Sequence, residues 1–157
     1  MSKSMRMQAI EGLKAGDRFS FSRTFSREET LAFGALTRDY NPVHYDRRWT
    51  NAKGFDDQIC HGLLVGGMIC EFGGQVGWLA TGISFKFIRP VYFGETITCG
   101  VELTRVDKDG RAEAEAEFVN SRGQLKAKVH MTGRLPLEGE RALLSEMVAQ
   151  GDPHNPL

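Results

Sequence analysis

The chain has 157 residues, a length that suits one ordinary domain and is short for two. Apolar residues make up 41% of it and charged residues 25%, the balance of a soluble globular protein. The 20 Lys and Arg residues equal the 20 Asp and Glu residues, so the net charge is zero and no basic stripe attracts a polyanion. We therefore expect no nucleic-acid partner.

The number of cysteines and the lengths of the apolar segments indicate where in the cell the protein is expected. Cys60, Cys70 and Cys99 are odd in number and lack CxxC or other metal-ligand spacing. Met1 to Ala15 has no apolar stretch of signal-peptide length. No segment approaches the roughly 18 apolar residues that a membrane helix needs. We expect reduced thiols in a cytoplasmic protein that has no membrane partner.

The first part of the chain predicts a strand, a short helix and a loop. Arg18 to Phe25 alternates polar and aromatic residues, which is typical of a half-buried strand. Ser26 followed three residues later by Glu29 is a capping box, so a helix begins there and is expected to end near Arg38. Asp39 to Trp49 is predicted to be a loop because it contains an Asn-Pro pair, which disfavours helix.

His61 to about Val76 is the long apolar segment. Its apolar residues go most of the way round a helical projection, so it predicts a central buried helix. Six glycines occur from Gly62 to Gly77. Each costs about 1 kcal/mol relative to Ala in a helix interior. We expect close packing of other backbone against this helix to compensate.

From Gly82 onward the hydrophobic period becomes two, which predicts four strands in a meander. Ala and Glu alternate from Ala112 to Glu117, with Arg111 and Phe118 continuing the same polar and apolar alternation. Their helix propensity argues against a strand, but strict alternation between two turn signals favours one. After residue 136 the chain becomes polar, with a helix expected over Arg141 to Val148 and a loose tail over Gly151 to Leu157.

An antiparallel sheet wrapped around one long central helix is the simplest arrangement that buries both patterns. The predicted fold class is therefore α+β, with a single domain over residues 1–136 and a C-terminal helix and tail over 137–157. Such a sheet leaves one edge exposed, so a homodimer is expected, and a higher homo-oligomer remains an alternative.

Asp39 and His44 are the first candidates for chemistry. They lie five positions apart across a proline-containing turn, which can bring the carboxylate and the imidazole to the same point. A pair that holds one water can deliver its hydroxyl and a proton to adjacent carbons. The alternative is that Asp39 fixes the turn and His44 is a hydrogen-bonded loop histidine. The amide of Asn41 either fixes the same turn or contacts substrate.

Gly62 begins the predicted helix. The first N–H groups of a helix have no internal partner and lie at the positive end of its dipole, so they suit a developing oxyanion. Gly62 has no Cβ that keeps a substrate carbonyl away from its N–H. The alternative is a plain helix start with Gly present for packing. His61, just before it, is predicted to be structural.

Composition alone allows a metal site built from His44, His61 and one of Asp46, Asp56 or Asp57. No metal-ligand spacing supports such a site. We therefore predict no metal ion and no other cofactor.

The segment Phe33 to His44, FGALTRDYNPVH, resembles the Asp-x-Asn-Pro-x-His motif of the MaoC-like hydratases, a family that includes the (R)-specific enoyl-CoA hydratases. The helix start Cys60 to Leu63 and the later segments SFKF and RPVYFGE strengthen the resemblance. Together these segments cover about residues 17 to 135. Two positions depart from the family pattern: Arg38 stands where Gly often precedes the Asp, and Thr50 where a small Ala or Ser is expected.

The resemblance implies a hot-dog fold and the hydration of a trans-2-enoyl-CoA to an (R)-3-hydroxyacyl-CoA. It implies that Asp39 and His44 form the catalytic pair and that the Gly62 amide donates to the thioester carbonyl. It also implies a dimer in which pantetheine enters near the subunit interface. Two alternatives remain open: a hot-dog acyl-CoA thioesterase and a non-catalytic subunit that binds acyl thioesters.

Overall fold

A five-stranded antiparallel sheet organises the chain, and the computed structural model describes residues 3–157. Its strands follow the order β1-β3-β4-β5-β2. They are β1 (Arg18–Thr24), β2 (Leu79–Phe87), β3 (Thr96–Val106), β4 (Arg111–Asn120) and β5 (Leu125–Arg134).

The predicted four-strand meander is wrong for β2, since only β3, β4 and β5 follow one another in the sheet. The chain between β2 and β3 makes no tight turn. Instead it runs across the end of β5, where the N–H groups of Ile88 and Arg89 both donate to the carbonyl of Lys126. This crossing places β2 beside β5 at the far edge of the sheet.

The helices within residues 3–157 lie mostly between β1 and β2. The predicted capping box is confirmed: the Ser26 hydroxyl accepts from the N–H of Glu29, and the Glu29 carboxylate accepts from the N–H of Ser26. None of the described helices is long and apolar enough to span a membrane. The helical elements are α1 (Met5–Glu11), α2 (Arg27–Thr37), a 3₁₀ turn (Pro42–His44), α3 (Arg47–Ala52), α4 (Gly62–Gly66), α5 (Ile69–Val76) and α6 (Glu138–Ala149). Of these, α1 and α3 were not predicted.

The predicted central helix is two helices, α4 and α5, separated at Gly67 and Met68. There the N–H of Met68 donates to the Val65 carbonyl and the N–H of Cys70 to the Gly67 carbonyl, which is the tighter spacing of a 3₁₀ turn. Gly67 and Met68 both keep right-handed helical dihedral angles. The prediction of one uninterrupted helix is therefore wrong in this detail, although the backbone continues in one helical sense.

Close packing against the glycines of α4 comes from aromatic rings, not from other backbone as expected. A Cβ on Gly62 would lie 2.9 Å from the ring of Phe87, and one on Gly66 would lie 2.6 Å from the ring of Phe85. The two glycines are one helical turn apart, and the two phenylalanines share one face of β2. Their rings stack on each other, with centroids 5.9 Å apart. Gly62 is thus held against the end of β2.

The core lies between α5 and the inward face of the sheet. Phe72 and Val76 of α5 are fully buried, and the ring of Phe72 packs 5.1 Å from that of Phe19 on β1. On β4 every second residue from Ala112 to Phe118 is buried, which confirms the strand predicted from alternation against helix propensity. Packing across the sheet therefore overrides the local preference of Ala and Glu.

β2 differs from the strand that its alternation predicted, because both of its faces are largely open. Leu79, Ile83 and Phe87 are exposed apolar residues along it. It pairs with β5 on one side, and its other edge carries no strand among the described residues. An exposed apolar edge of this kind is unusual unless another chain covers it.

The C-terminal tail is anchored, and the prediction of a loose tail is wrong. The side chains of Asn155 and Gln75 exchange hydrogen bonds of 2.7 and 3.2 Å, and Gln75 is buried on α5. Arg6 lies 3.7 Å from Asp152, which adds a contact to the start of the chain. The helix predicted over residues 141–148 is present as α6.

An ion pair between buried Lys126 and partly buried Glu95 fixes the segment between β2 and β3. The Lys126 ammonium donates to a Glu95 carboxylate oxygen at 3.1 Å and to the Pro90 carbonyl at 2.9 Å, and only 4% of its side chain is exposed. Burial raises the pKa of Glu95, but hydrogen bonds from Asn120 and the Tyr92 N–H, together with Lys126, lower it overall. Glu95 is therefore held as a carboxylate.

Lys126→Met is expected to lower the free energy of unfolding by about 3 kcal/mol, because it leaves the partly buried Glu95 carboxylate without its cation. Lys128→Met is the matched control two residues along β5. Lys128 pairs with Glu117 in solvent, so its loss should cost no more than about 1 kcal/mol. Urea unfolding of both variants measures the difference, and equal costs would contradict this assignment.

Candidate active site

The end of α2 sets the direction of the loop that carries Asp39. Arg38 ends the helix in the left-handed conformation, with φ 58° and ψ 29°, and the N–H of Asp39 donates to the Gly34 carbonyl. Gly adopts this conformation without the cost of about 1–2 kcal/mol that a side chain incurs. This explains why Gly is common before the motif Asp. The Arg38 side chain is exposed.

Asn41 fixes the 3₁₀ turn that follows. Its side-chain oxygen accepts from the N–H of Val43 at 3.2 Å, and its own N–H donates to Asp39 Oδ1 at 3.2 Å. Asn41 does not line the cavity described below. The geometry therefore favours a turn-fixing Asn41 over one that contacts substrate.

The turn brings the Asp39 carboxylate and the His44 imidazole together, with Oδ2 and Nε2 3.8 Å apart. His44 Nδ1 lies 2.8 Å from the carbonyl oxygen of Ile59. A carbonyl oxygen can only accept, so Nδ1 carries the proton and the neutral ring has its lone pair on Nε2, towards Asp39. His44 is 8% exposed and Asp39 is 47% exposed, so the pair lies at the boundary between core and solvent.

Burial lowers the pKa of His44 below its ordinary value of 6.5, and the neighbouring His61 acts in the same direction. The hydrogen bond to Ile59 and the charge of Asp39 raise it, but by less. The ring is therefore neutral near pH 7, with Nε2 free to accept a proton.

His61 is a third member of the cluster. Its side chain is 1% exposed, and its ring stacks on that of His44 with centroids 3.7 Å apart and an interplanar angle of 27°. Its Nε2 lies 3.0 Å from the main-chain oxygen of Asp39 and 3.8 Å from Oδ2. The sequence predicted a structural role for His61. Its position beside Gly62 was the only local feature that indicated a place in the site.

Asp39, His44 and His61 place potential metal ligands within 4.8 Å of one another. Their hydrogen bonds do not suit a metal ion. His61 Nε2 must donate to the Asp39 carbonyl, so it has no lone pair for a metal, and Asp39 Oδ1 already accepts from a backbone N–H. Within residues 3–157, Asp46 and Asp57 pair with arginines instead of joining the histidines.

Gly62 begins α4 beside this cluster. His61 provides no side-chain cap for the helix, and among the described residues the Gly62 N–H has no hydrogen-bond partner. Gly62, Asp39 and His44 line one cavity of about 480 Å³, a volume typical of small-molecule sites. Most of its wall is apolar, formed by Phe33, Phe55, Ile59, Leu63, Val65, Phe87, Ile88 and Val91, and Arg89 and Lys126 add two cations.

Comparison with known proteins identifies similar chains. The sequence profile of the MaoC like domain matches residues 12–123. The (R)-specific enoyl-CoA hydratase of Aeromonas caviae is 32% identical over 105 residues, which cover 64% of this chain and 78% of that protein. The (R)-specific enoyl-CoA hydratase of Rhodospirillum rubrum is 28% identical over 139 residues, covering 86% of this chain and 90% of that protein.

The solved structure of the (R)-hydratase from A. caviae involved in PHA biosynthesis superposes with a TM-score of 0.74 at 29% identity. The superposition covers 80% of this chain and 99% of that one. The likeness confirms the predicted α+β hot-dog fold. The matched residues 12–123 include Asp39, His44 and Gly62 and exclude α1 and α6.

Proposed function

Because this chain belongs to the MaoC-like domain family, we propose that it catalyses the reversible hydration of a trans-2-enoyl-CoA to an (R)-3-hydroxyacyl-CoA. The observation that carries the proposal is the 3.8 Å approach of Asp39 Oδ2 to the unprotonated Nε2 of His44, in a cavity that Gly62 also lines. The names of the two hydratases support the (R) configuration and the CoA thioester. Loss of enoyl absorbance from crotonyl-CoA tests the activity.

One water molecule held between Asp39 and His44 is the nucleophile. The Asp39 carboxylate accepts one of its hydrogen bonds, and Nε2 of His44 accepts the proton that leaves as the oxygen bonds to C3. A proton is then delivered to C2 from the same pair. One water is added in all, and the reverse sequence of steps eliminates it.

The Gly62 N–H stabilises the charge that develops on the thioester oxygen. Attack at C3 pushes electron density through the double bond onto that oxygen, so an enolate forms before C2 is protonated. A free N–H at the start of a helix offers the oxygen a hydrogen bond and the positive end of the helix dipole. The absence of a Cβ lets the carbonyl approach.

The acid limb of the kcat/KM profile is expected to lie below pH 6.5, because burial lowers the pKa of His44 and only its neutral form accepts the proton of water. Activity should therefore persist as the pH falls past 6.5 and then decline through the pKa of His44. Initial rates with crotonyl-CoA across this range measure it. An acid limb above pH 6.5 would contradict the role of a buried, neutral His44.

The exposed edge of β2 supports a homodimer in which a second copy of the chain adds its strand to this edge. Ile83 lies midway between the other exposed apolar residues of β2, Leu79 and Phe87. Phe87 and the following Ile88 line the cavity, so a partner on this edge would border the site. Light scattering is expected to give twice the mass of one chain and to give a monomer for Ile83→Lys. A monomeric wild-type protein would rule out this assembly.

Three unpaired cysteines support a reducing compartment, the cytoplasm. Cys60 and Cys99 are buried and Cys70 is exposed, and none forms a disulfide. Cell fractionation tests this, and recovery of the protein from an oxidising secretory compartment would argue against it.

A further inference from the structure

His61 is the buried group in the site that the proposed reaction does not use. It lies 22 residues from Asp39 in the chain, yet its ring contacts both members of the reacting pair. A histidine that only filled space would not need both a hydrogen bond to Asp39 and a ring stacked on His44. These two contacts indicate a specific role for His61.

The hydrogen bond from His61 holds the main chain of Asp39. Nε2 donates to the Asp39 carbonyl oxygen at 3.0 Å, and the hydroxyl of Tyr45 donates to the same oxygen at 3.2 Å. The N–H of Asp39 is bound to Gly34 at the end of α2. With its peptide groups held on both sides, the Asp39 carboxylate has little freedom beyond its own side-chain rotation.

The stacked ring of His61 restrains His44 in a different way. Rotation of the His44 ring about its Cβ–Cγ bond would turn Nε2 away from Asp39 and would break the hydrogen bond from Nδ1 to Ile59. The same rotation would drive the ring into the His61 imidazole, whose centroid lies 3.7 Å from that of His44. It also places a dipolar ring, not solvent, against the face of His44.

The unpartnered nitrogen of His61 fits this arrangement. Its Nδ1 is buried and has no hydrogen-bond partner among the described residues. With the proton on Nε2, Nδ1 is a bare acceptor. The ring of His61 covers one face of His44, and burial of His44 is the main reason that its pKa is lowered.

We propose that His61 is a positioning residue, which holds Asp39 by its carbonyl and His44 by its ring face and keeps His44 in its neutral form. The inference rests on the proposed hydration only for its kinetic readout. The other ionisable groups near His44 are Asp39, Tyr45 and Cys60, and Arg89 and Lys126 share the cavity wall. Burial raises the pKa of the Cys60 thiol to about 11, which leaves it uncharged.

Two variants separate the two contacts. His61→Phe keeps a flat ring and loses the donor, whereas His61→Gln keeps an N–H near the position of Nε2 and loses the stack. We expect His61→Phe to lower kcat for crotonyl-CoA about tenfold or more with little change in KM, and His61→Gln to fall between it and the wild type. His61→Gln, which uncovers the face of His44, should raise the pKa of His44, and His61→Phe, which keeps that face covered, should change it less; NMR titration measures both.

Val76→Ala controls for lost stability, because Val76 is buried on α5 and does not line the cavity. It should destabilise the protein without moving the pKa of His44. Wild-type kcat in His61→Phe, or an unchanged His44 pKa in His61→Gln, would overturn the inference. The titration needs no turnover, so failure of the proposed hydration would show in the wild-type assay and would remain distinguishable.

Discussion

Asp39→Asn is expected to lower kcat for crotonyl-CoA hydration by about 10³-fold or more while leaving the fold intact. The amide has nearly the shape of the carboxylate, and its oxygen can still accept from the N–H of Asn41, so the turn survives. It carries no negative charge to orient water or to balance a protonated His44. Steady-state kinetics with a circular dichroism check of folding measures the effect.

Asp56→Asn is the matched control. Asp56 is an exposed aspartate beyond α3, and its contact with Tyr92 is made by its backbone N–H, which the change leaves in place. Its kcat should stay within about twofold of the wild type, as for surface substitutions that touch no functional group. If Asp39→Asn also stays within a few-fold of the wild type, Asp39 does not act on the reacting water.

Gly62→Pro is expected to remove the proposed oxyanion donor without breaking the helix. Gly62 is the first residue of α4, where proline is well tolerated, and His61 before it already has the extended dihedral angles that a following proline requires. Loss of one such donor typically costs about 10²- to 10³-fold in kcat. The Pro variant should therefore fall by about that factor relative to Gly62→Ala.

Gly62→Ala is the necessary reference, because any side chain here meets the ring of Phe87. A Cβ would lie 2.9 Å from that ring, but Phe87 is 54% exposed and its ring can move aside. The Ala variant thus reports crowding by Cβ alone, and the Pro variant adds the loss of the N–H together with the Cδ that replaces its hydrogen. Equal kcat values for the two variants would mean that the Gly62 N–H does not stabilise the transition state.

Features fixed by short-range chemistry could be predicted from the sequence. The capping box of Ser26 and Glu29 depends only on residues three positions apart. The strand β4 could be predicted because its apolar and polar residues alternate strictly. The approach of Asp39 to His44 was predicted for the same reason, since five residues across one turn join them, and the structure places them 3.8 Å apart. Their catalytic role remains a prediction.

Features fixed by distant contacts could not be predicted. The ring of His61 stacks on that of His44 because two separate segments of the chain come together in the fold. The residue pattern of neither segment indicates this contact. The anchoring of the tail joins Asn155 to Gln75 across 80 residues. The position of β2 depends on where its connection crosses β5, and an alternating pattern gives the faces of a strand but not its neighbour.

Water addition to an enoyl thioester can be measured directly in one assay. Crotonyl-CoA is incubated with the wild-type protein while enoyl absorbance and free thiol are followed together, and the product is separated on a chiral column. We expect loss of enoyl absorbance, no thiol release and (R)-3-hydroxybutyryl-CoA as the product. Release of free CoA would instead indicate a thioesterase. Tight binding without turnover on short and long enoyl-CoAs would indicate a non-catalytic subunit, and either result would rule out the proposed hydration.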